Sequence, residues 1–411
     1  MDTTITTPVR LLLITAIPLA LAGGLGTSGA AAVEPELSEL IIIGPDSERE
    51  VTGEHRGMRD GGEEDGWVEL DDGIEGSFNI DFQRVDGLTF GLMQRLYGTG
   101  PYGPELTLRE ARAFHRGRWL FGAEFEQPII PDHLTIGGGF FRRTTPFSGL
   151  DREIVNDEEN LLAALLVKED YRDYYEDEGV QVFLKQRFGR RTTAQATVLR
   201  SKHTALVNNT RTSLTRWGED FRLNPAADEG NLRALRFQVE YDTRPSHREP
   251  TMAEWYRVEW ERADGGMGGD FDYGRFLADL RQYVRTSPGQ QLSWRLIYGT
   301  TRTGDLPVQK RFAIGGIGTL RAHNYKEFTG DEVLLGNLEY SFDLDRDFEA
   351  IVFLDTGATA ERNASIRDRR FALDGGFGFG FHGERAAVYL ARDLREPDAD
   401  LRLSFRLSST F

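Results

Sequence analysis

From Gly87 to Phe411 the chain repeatedly alternates apolar with polar side chains over eight to twelve positions. A period of two is the mark of β-strands. The last segment is the plainest case: Leu401, Leu403, Phe405, Leu407 and Phe411 fall on one face, and Arg402, Ser404, Arg406 and Ser408 on the other. Leu235, Phe237, Val239 and Tyr241 oppose Arg236, Gln238, Glu240 and Asp242 in the same way, and Val180, Val182, Leu184 and Phe188 oppose Gln181, Lys185 and Arg187. A soluble sandwich also alternates. The charge separates the two readings, because several segments carry two or three ionisable groups on one face while the other is continuously apolar. In a barrel with a watery lumen, the charged face meets solvent and the apolar face meets lipid. Turning an Arg towards the bilayer midplane costs roughly 2–4 kcal/mol, which fixes the register.

About 14 such segments can be counted, within a range of 12–16. They centre near Phe90, Phe121, Ile136, Val182, Ala196, Phe237, Val258, Leu277, Leu296, Leu338, Phe353, Phe379, Tyr389 and Phe405. The fold class they specify is all-β, a closed antiparallel transmembrane barrel in which an even strand number returns both ends to one side. Connections after odd-numbered strands are mostly long, at 98–111, 144–179, 202–230, 302–330 and 359–371. Those after even-numbered strands are mostly short, at 127–132, 188–191, 286–290, 343–347 and 382–385. Long loops at one end and tight turns at the other belong to an outer-membrane barrel. A sandwich has no cause to segregate them.

The amino-terminal end suits export. Residues 1–32 hold one acidic side chain, Asp2, and one basic one, Arg10, before an apolar stretch from Leu11 and a small-residue end at Ala30-Ala31-Ala32. That is the layout of a cleaved secretory signal, and Pro18 with the Gly-rich stretch from Gly23 makes a poor spanning helix. The longest later apolar run, LLAALLV at 161–167, falls well short of the ~20 residues a spanning helix needs. The chain has no Cys, hence no disulfide and no thiol for a lipid anchor. The net charge of −17 is concentrated in 33–75, which hold 15 acidic and 3 basic side chains. Such a leader lacks the apolar residues for a core and reads as a disordered, solvated tether; an acidic arm for a partner is the competing reading. Nucleic acid is not an expected partner, since its binding needs a basic footprint. The expected plan is a signal peptide at 1–32, an acidic periplasmic leader at 33–75 and a barrel at 76–411.

One long loop has helical spacing, with Leu161, Leu162, Leu165 and Leu166 on one face after Glu158-Glu159. It reads either as an amphipathic helix at the lumen or membrane surface, or as a small helix packing on its own barrel.

The last hundred residues carry a resemblance. FAIGGIGTLRAHNYKEF, LLGNLEYSF and IVFLDTGA resemble the carboxy-terminal part of the BamA/TamA-type barrels, the bacterial surface antigen superfamily. The match is strong over 311–411 and weaker before; NIDFQRVDGLTFG is similar to the first strand of such barrels. Members assemble or translocate proteins at outer membranes. Their hallmark is a long lumen-directed loop with a Gly-Gly turn and a V/L-R-G-F/Y tetrapeptide, whose Arg meets acidic and aromatic side chains of an F-x-D-x-G strand. The matching positions are Gly315, Gly316, Leu320 and Arg321, with Phe353, Asp355 and Gly357 on the strand. Ala322 and His323 stand where the family has Gly and an aromatic. The resemblance also implies five strands after the loop, and a barrel lacking the family's periplasmic POTRA modules, each longer than the 43 residues of 33–75. The aromatic end, with Phe405, Leu407 and Phe411, resembles the signal by which outer-membrane assembly machinery recognises its barrels. Strand physics agrees, since Phe353, Asp355 and Gly357 share one face and Val352 and Leu354 the other. A loop Arg on a lumenal Asp makes a charge-assisted pair, of a type that can be bidentate, able to hold the loop; a solvent-facing Arg would contribute little.

Enzyme readings are weaker. Leu354-Asp355-Thr356-Gly357-Ala358 matches the catalytic strand of an aspartic protease, but that chemistry needs two carboxylates sharing a proton. There is no second D-T-G or D-S-G, so only a homodimer could supply one. The chain has no G-x-S-x-G and no H-E-x-x-H, and its seven His lack ligand spacing. Gly315-Gly316-Ile317-Gly318 reads as a turn rather than a nucleotide loop. The expectation is a non-enzymatic outer-membrane barrel related to assembly and translocation factors, with no cofactor or metal, in which Arg321 and Asp355 lock the lumen loop. Its latent edges lie at the seam between first and last strands, where a client could pass or be templated. The implied partners are outer-membrane lipid and lipopolysaccharide, the assembly machinery and an unfolded client. The alternatives are a passive transport channel or surface antigen that has lost assembly activity and, more distantly, a homodimeric protease using Asp355-Thr356-Gly357.

Overall fold

The computed structural model describes residues 68–407, apart from 72, 148–149, 151–154, 212, 215–219, 245–251, 363 and 382–385. The expected signal peptide, most of the acidic leader and Phe411 lie outside the described residues. A short strand β1 (Val68–Asp71) pairs with the start of β2 (Ile74–Gln83), so the sheet begins within the stretch read as leader. From β2 the sheet continues through β3 (Gly87–Tyr97), β4 (Glu105–Ala113), β5 (Arg118–Ile130), β6 (Leu134–Pro146), β7 (Tyr174–Phe188), β8 (Thr192–Ala205) and β9 (Gly230–Asp242). It is completed by β10 (Met252–Ala263), β11 (Tyr273–Ser287), β12 (Gln290–Gly304), β15 (Glu332–Asp343), β16 (Phe348–Ala360), β17 (Ala372–Phe381), β18 (Ala386–Asp393) and β19 (Arg402–Arg406). From β3 on, each of these is antiparallel to the one before it. Between β12 and β15, β13 (Phe312–Ile314) and β14 (Phe328–Gly330) form a small ribbon of their own.

Among the described residues the barrel has 16 strands from β2 to β19, the upper end of the expected range. All fourteen expected segments are strands; β2 and β4 are the additions. The stretch read as one opening strand is a hairpin, β2 and β3 joined by Arg84-Val85-Asp86. Strand β4 hid because its outward face keeps only Leu106 and Leu108 before turning to Glu110 and Arg112, too short an apolar run to show a period. It occupies half of the connection expected at 98–111, which is in fact a seven-residue link, 98–104, at the short-turn end. The three longest connections, 147–173, 206–229 and 305–331, all lie at the same end.

Burial runs opposite to that of a soluble protein. Val352 and Leu354 on β16 are exposed, while Phe353, Asp355 and Gly357 between and beyond them are buried. On β19, Leu403 and Phe405 are 71% and 54% exposed and Arg406 is 4% exposed. Phe78, Val182, Phe237, Val352 and Phe377 extend the outward apolar surface around the sheet, far beyond what a water-soluble monomer shows. It is the lipid-facing belt of a barrel. No helix among the described residues is long and apolar enough to cross a membrane; the strands do so. Inward, charges are paired: Asp279 lies 2.7 Å from Arg281 and 2.5 Å from Arg295, and Glu261 lies 3.0 Å from Lys310. Each of these buried charges thus has an opposite one beside it, the condition on which burial is tolerated.

The loop between β6 and β7 carries helix α1 (Asp157–Val167). Its buried stripe differs from the all-Leu face expected. Leu161, Ala164 and Leu165 pack with Phe82 and Phe221, whereas Leu162 and Leu166 are exposed. Asn160 turns inward because its amide donates to Asp170 Oδ1 and the Tyr174 hydroxyl while its oxygen accepts from the Tyr171 N–H.

Candidate functional site

The connection 305–331 enters the barrel on the β13–β14 ribbon and turns sharply at Gly315-Gly316. These residues have φ of +120° and +98°, and a Cβ on Gly315 would lie 2.2 Å from the Asn324 carbonyl oxygen. Only glycine meets both demands there. The turn is closed by Gly315 N–H donating to Thr319 Oγ1 at 2.8 Å and Gly316 N–H donating to the Leu320 carbonyl at 3.0 Å. Leu320 is fully buried in an apolar cluster with Ile297, Phe312, Ile314 and Leu335. The next residue, Arg321, then faces the wall formed by β15 to β18.

Strand register composes that wall. Asn337, Asp355, Asp374 and Asp393 are successive cross-strand partners from β15 to β18, and Glu339, Phe353, Gly376 and Ala391 form the next row. Arg321 Nη2 lies 2.9 Å from Glu339 Oε2, and its Nε lies 3.4 Å from Asp355 Oδ2. Its guanidinium also sits over the rings of Phe353 and Tyr389, 4.1 and 4.6 Å from their centroids. The two rings meet edge to face at 5.7 Å. They have room because β17 offers no Cβ: one on Gly376 would lie 2.8 Å from Phe353 Cζ, and one on Gly378 2.8 Å from Tyr389 Cδ1. Asn337 Nδ2 donates to both the Thr319 carbonyl and Asp355 Oδ1, at 2.7 and 2.8 Å. Burial opposes the charge on Arg321, but Asp355 and Glu339 hold it protonated, its pKa above the ordinary value. Desolvated ion pairing combined with cation–π stacking is a strong anchor for one side chain.

The expected residues Gly315, Gly316, Leu320, Arg321, Phe353 and Asp355 thus converge, and Gly357 lies beneath them, with a Cβ there only 3.0 Å from Ile314 Cδ1. The pairing differs in detail: Glu339, not Asp355, makes the shorter contact with Arg321. Glu339, Asn337, Tyr389 and Asp374 were not anticipated. Glu339 and Asn337 alternate in LLGNLEYSF, so their inward face was readable; that they lie opposite Phe353 and Asp355 was not. Asp355 engages Arg321 and Asn337.

Two further ties fix the loops at this mouth. Lys326 Nζ lies 3.0 Å from Asp173, whose carboxylate also meets Arg84 at 2.8 Å and Arg222 at 2.5 Å. Burial alone would raise the Asp173 carboxyl, but Lys326, Arg222 and Arg84 hold it below the ordinary carboxylate value. One carboxylate so joins four connections. The second tie reaches both ends of the sheet. In α1 the cap residue Asn156 and the third helical residue Glu159 form a reciprocal capping box. The same side chains hold Leu407, just past β19: its N–H donates to Glu159 Oε1 at 2.6 Å and its carbonyl accepts from Asn156 Nδ2 at 3.0 Å. Through Phe82, α1 also packs on β2. Of the expected carboxy-terminal set, Phe405 faces outward and Leu407 is held in this way, while Phe411 lies outside the described residues.

Comparison with known proteins bears on the family and the fold. Over 181 residues the chain is 27% identical to the outer membrane protein assembly factor BamA of Nitratidesulfovibrio vulgaris, covering 40% of this chain and 21% of that protein. The matched part therefore spans about a fifth of that relative's length. The structure of BamA from Haemophilus ducreyi lacking POTRA domains 1–3 superposes with a TM-score of 0.56 at 12% identity, covering 82% of this chain and 70% of that one, a likeness of fold. Residues 108–382, well over half of the chain, match the Omp85 superfamily domain. The chain belongs to the Omp85 superfamily.

Proposed function

We propose that this outer-membrane barrel handles polypeptide clients, assembling or passing them at the seam between β2 and β19, with the 305–331 loop locked in the lumen by Arg321. The observation that carries the reading is the fully buried seat of Arg321 between Glu339, Asp355, Phe353 and Tyr389. A desolvated cation held by two carboxylates has two defined states, seated or withdrawn, and withdrawal leaves buried charge uncompensated. The site does no bond chemistry; it holds a loop. A second support is α1, which grips Leu407 and β2 together and so bears on the edges where a client strand would pair. In this reading the chain ahead of β1 lies on the periplasmic side. Outer-membrane lipid and lipopolysaccharide surround the apolar belt, and the assembly machinery inserts the barrel itself.

The test is reconstitution of the full chain into liposomes with a denatured outer-membrane barrel polypeptide as client. Faster client insertion than in empty liposomes, altered by Arg321→Met, supports the proposal. Ion conductance with no gain in client insertion would instead establish a passive channel.

A further inference from the structure

We propose that His323, Asp374 and Asp393 form a binding site for one divalent transition-metal cation of the zinc class at the long-loop mouth of the barrel. The donors come from three elements: His323 from the lumen loop, Asp374 from the beginning of β17 and Asp393 from the end of β18. They are far apart in sequence, which is why no ligand spacing shows there. Register brings them together, since Asp374 and Asp393 are direct cross-strand partners. His323 Nε2 lies 3.2 Å from Asp374 Oδ1 and 3.9 Å from Asp393 Oδ2, and one donor atom from each residue falls within 4.8 Å of the others. A tetrahedral zinc with bonds of about 2.0–2.1 Å sets its donors roughly 3.3 Å apart. Asp393 is partly exposed, and a small rotation of its carboxylate would close the remaining distance.

Two observations point to a ligand rather than a simple ion pair. Asp374 is completely buried, yet among the described residues neither its Oδ1 nor His323 Nε2 has a hydrogen bond of good geometry, each having only the other's charge beside it. His323 Nε2 and Asp374 Oδ1 face each other across 3.2 Å with Asp393 Oδ2 at 3.9 Å, so a cation seated between them would take a donor from each. The other observation is the outer layer. The second polar atom of every donor residue is already held: His323 Nδ1 lies 3.4 Å from Glu327, Asp374 Oδ2 accepts from the Ala322 N–H at 2.8 Å, and Asp393 Oδ1 accepts from the Arg395 N–H at 2.8 Å. Carboxylate-oriented His and hydrogen-bonded carboxylates are what surround bound metals. One imidazole with two carboxylates and an open fourth position suits zinc or its neighbours in the first row.

The experiment uses the full chain, folded in detergent and titrated with cobalt(II), then zinc. The expected result is one cobalt per chain, with the strong visible absorption of a four-coordinate site, displaced by zinc. His323→Phe abolishes that absorption, Asp393→Asn weakens binding about tenfold or more, and Glu327→Gln weakens it about ten- to a hundredfold. Heat-modifiability on a gel reports whether each variant folds; should His323→Phe not fold, Asp393→Asn decides, because it leaves the Arg321 seat untouched. Absence of saturable binding in the unaltered chain overturns the proposal. So does binding that His323→Phe and Asp393→Asn leave unchanged, which would place the metal on other carboxylates.

Discussion

Replacing Arg321 by Met keeps most of the side-chain length and removes the guanidinium from between Glu339 and Asp355. Both carboxylates are buried, at 3% and 0% exposure. Leaving one half of a buried pair without its partner costs about 3–5 kcal/mol. At roughly 1.4 kcal/mol per tenfold, the seated population of the loop falls by some two to three and a half powers of ten. The two carboxylates do not suffer equally. Asp355 keeps Asn337 Nδ2 at 2.8 Å and the backbone N–H of residue 321 at 3.4 Å, whereas the 2.9 Å contact of Glu339 is with the guanidinium itself. Neutralising Glu339 in the R321M background should therefore restore more of the lost order than neutralising Asp355. The assay is protease nicking within 305–331 of the intact barrel, whose rate follows the open population when reclosing is fast. The expected order of nicking is R321M fastest, then R321M/D355N, then R321M/E339Q, then the unaltered chain. An unchanged rate in R321M, or better rescue by D355N than by E339Q, refutes the argument.

Three other outcomes follow from the same geometry. Asp173 has a depressed pKa in the folded state, so its stabilisation is full above the ordinary value of 3.8 and is lost only as pH falls through the folded value. Amide protection factors at 168–173 and 324–327 should hold from pH 7 to 5 and collapse in stronger acid; Asp173→Asn should lower them throughout, and a decline already present between pH 7 and 5 contradicts the assignment. Gly315→Ala places a Cβ 2.2 Å from a carbonyl oxygen at φ +120°, costing more than about 1 kcal/mol. It should raise nicking of the loop while the barrel stays heat-modifiable, and wild-type resistance would count against the turn. Glu159→Ala removes both the helix-cap bond and the acceptor of the Leu407 N–H. A loss of about 1–1.5 kcal/mol speeds exchange of that amide roughly tenfold; an unmoved rate would mean α1 does not hold the strand end.

The sequence carried the barrel because lipid and water impose opposite demands on alternate residues, and that alternation survives in all fourteen of the segments first counted. It failed where the demand is weak. Strand β4 spends only Leu106 and Leu108 on lipid, and β2 is interrupted by Gly76-Ser77 and ends under α1 instead of hydrocarbon. Arg321, Phe353 and Asp355 were legible from a motif and from the face they share. Glu339, Tyr389 and Asp374 depend on the stagger between strands, which no local pattern encodes. The grip of Glu159 on Leu407 spans 248 positions, beyond the reach of any periodicity.

That span has a kinetic consequence. Every long strand pairs with its neighbour in the chain, so the meander can grow hairpin by hairpin, each step closing only a modest loop. The helix cap gains its bonds to Leu407 only after the final strand has been laid down, and its packing on Phe82 only beside the first. Its contacts are thus among the last to form, and they register that the cylinder has both of its ends in place.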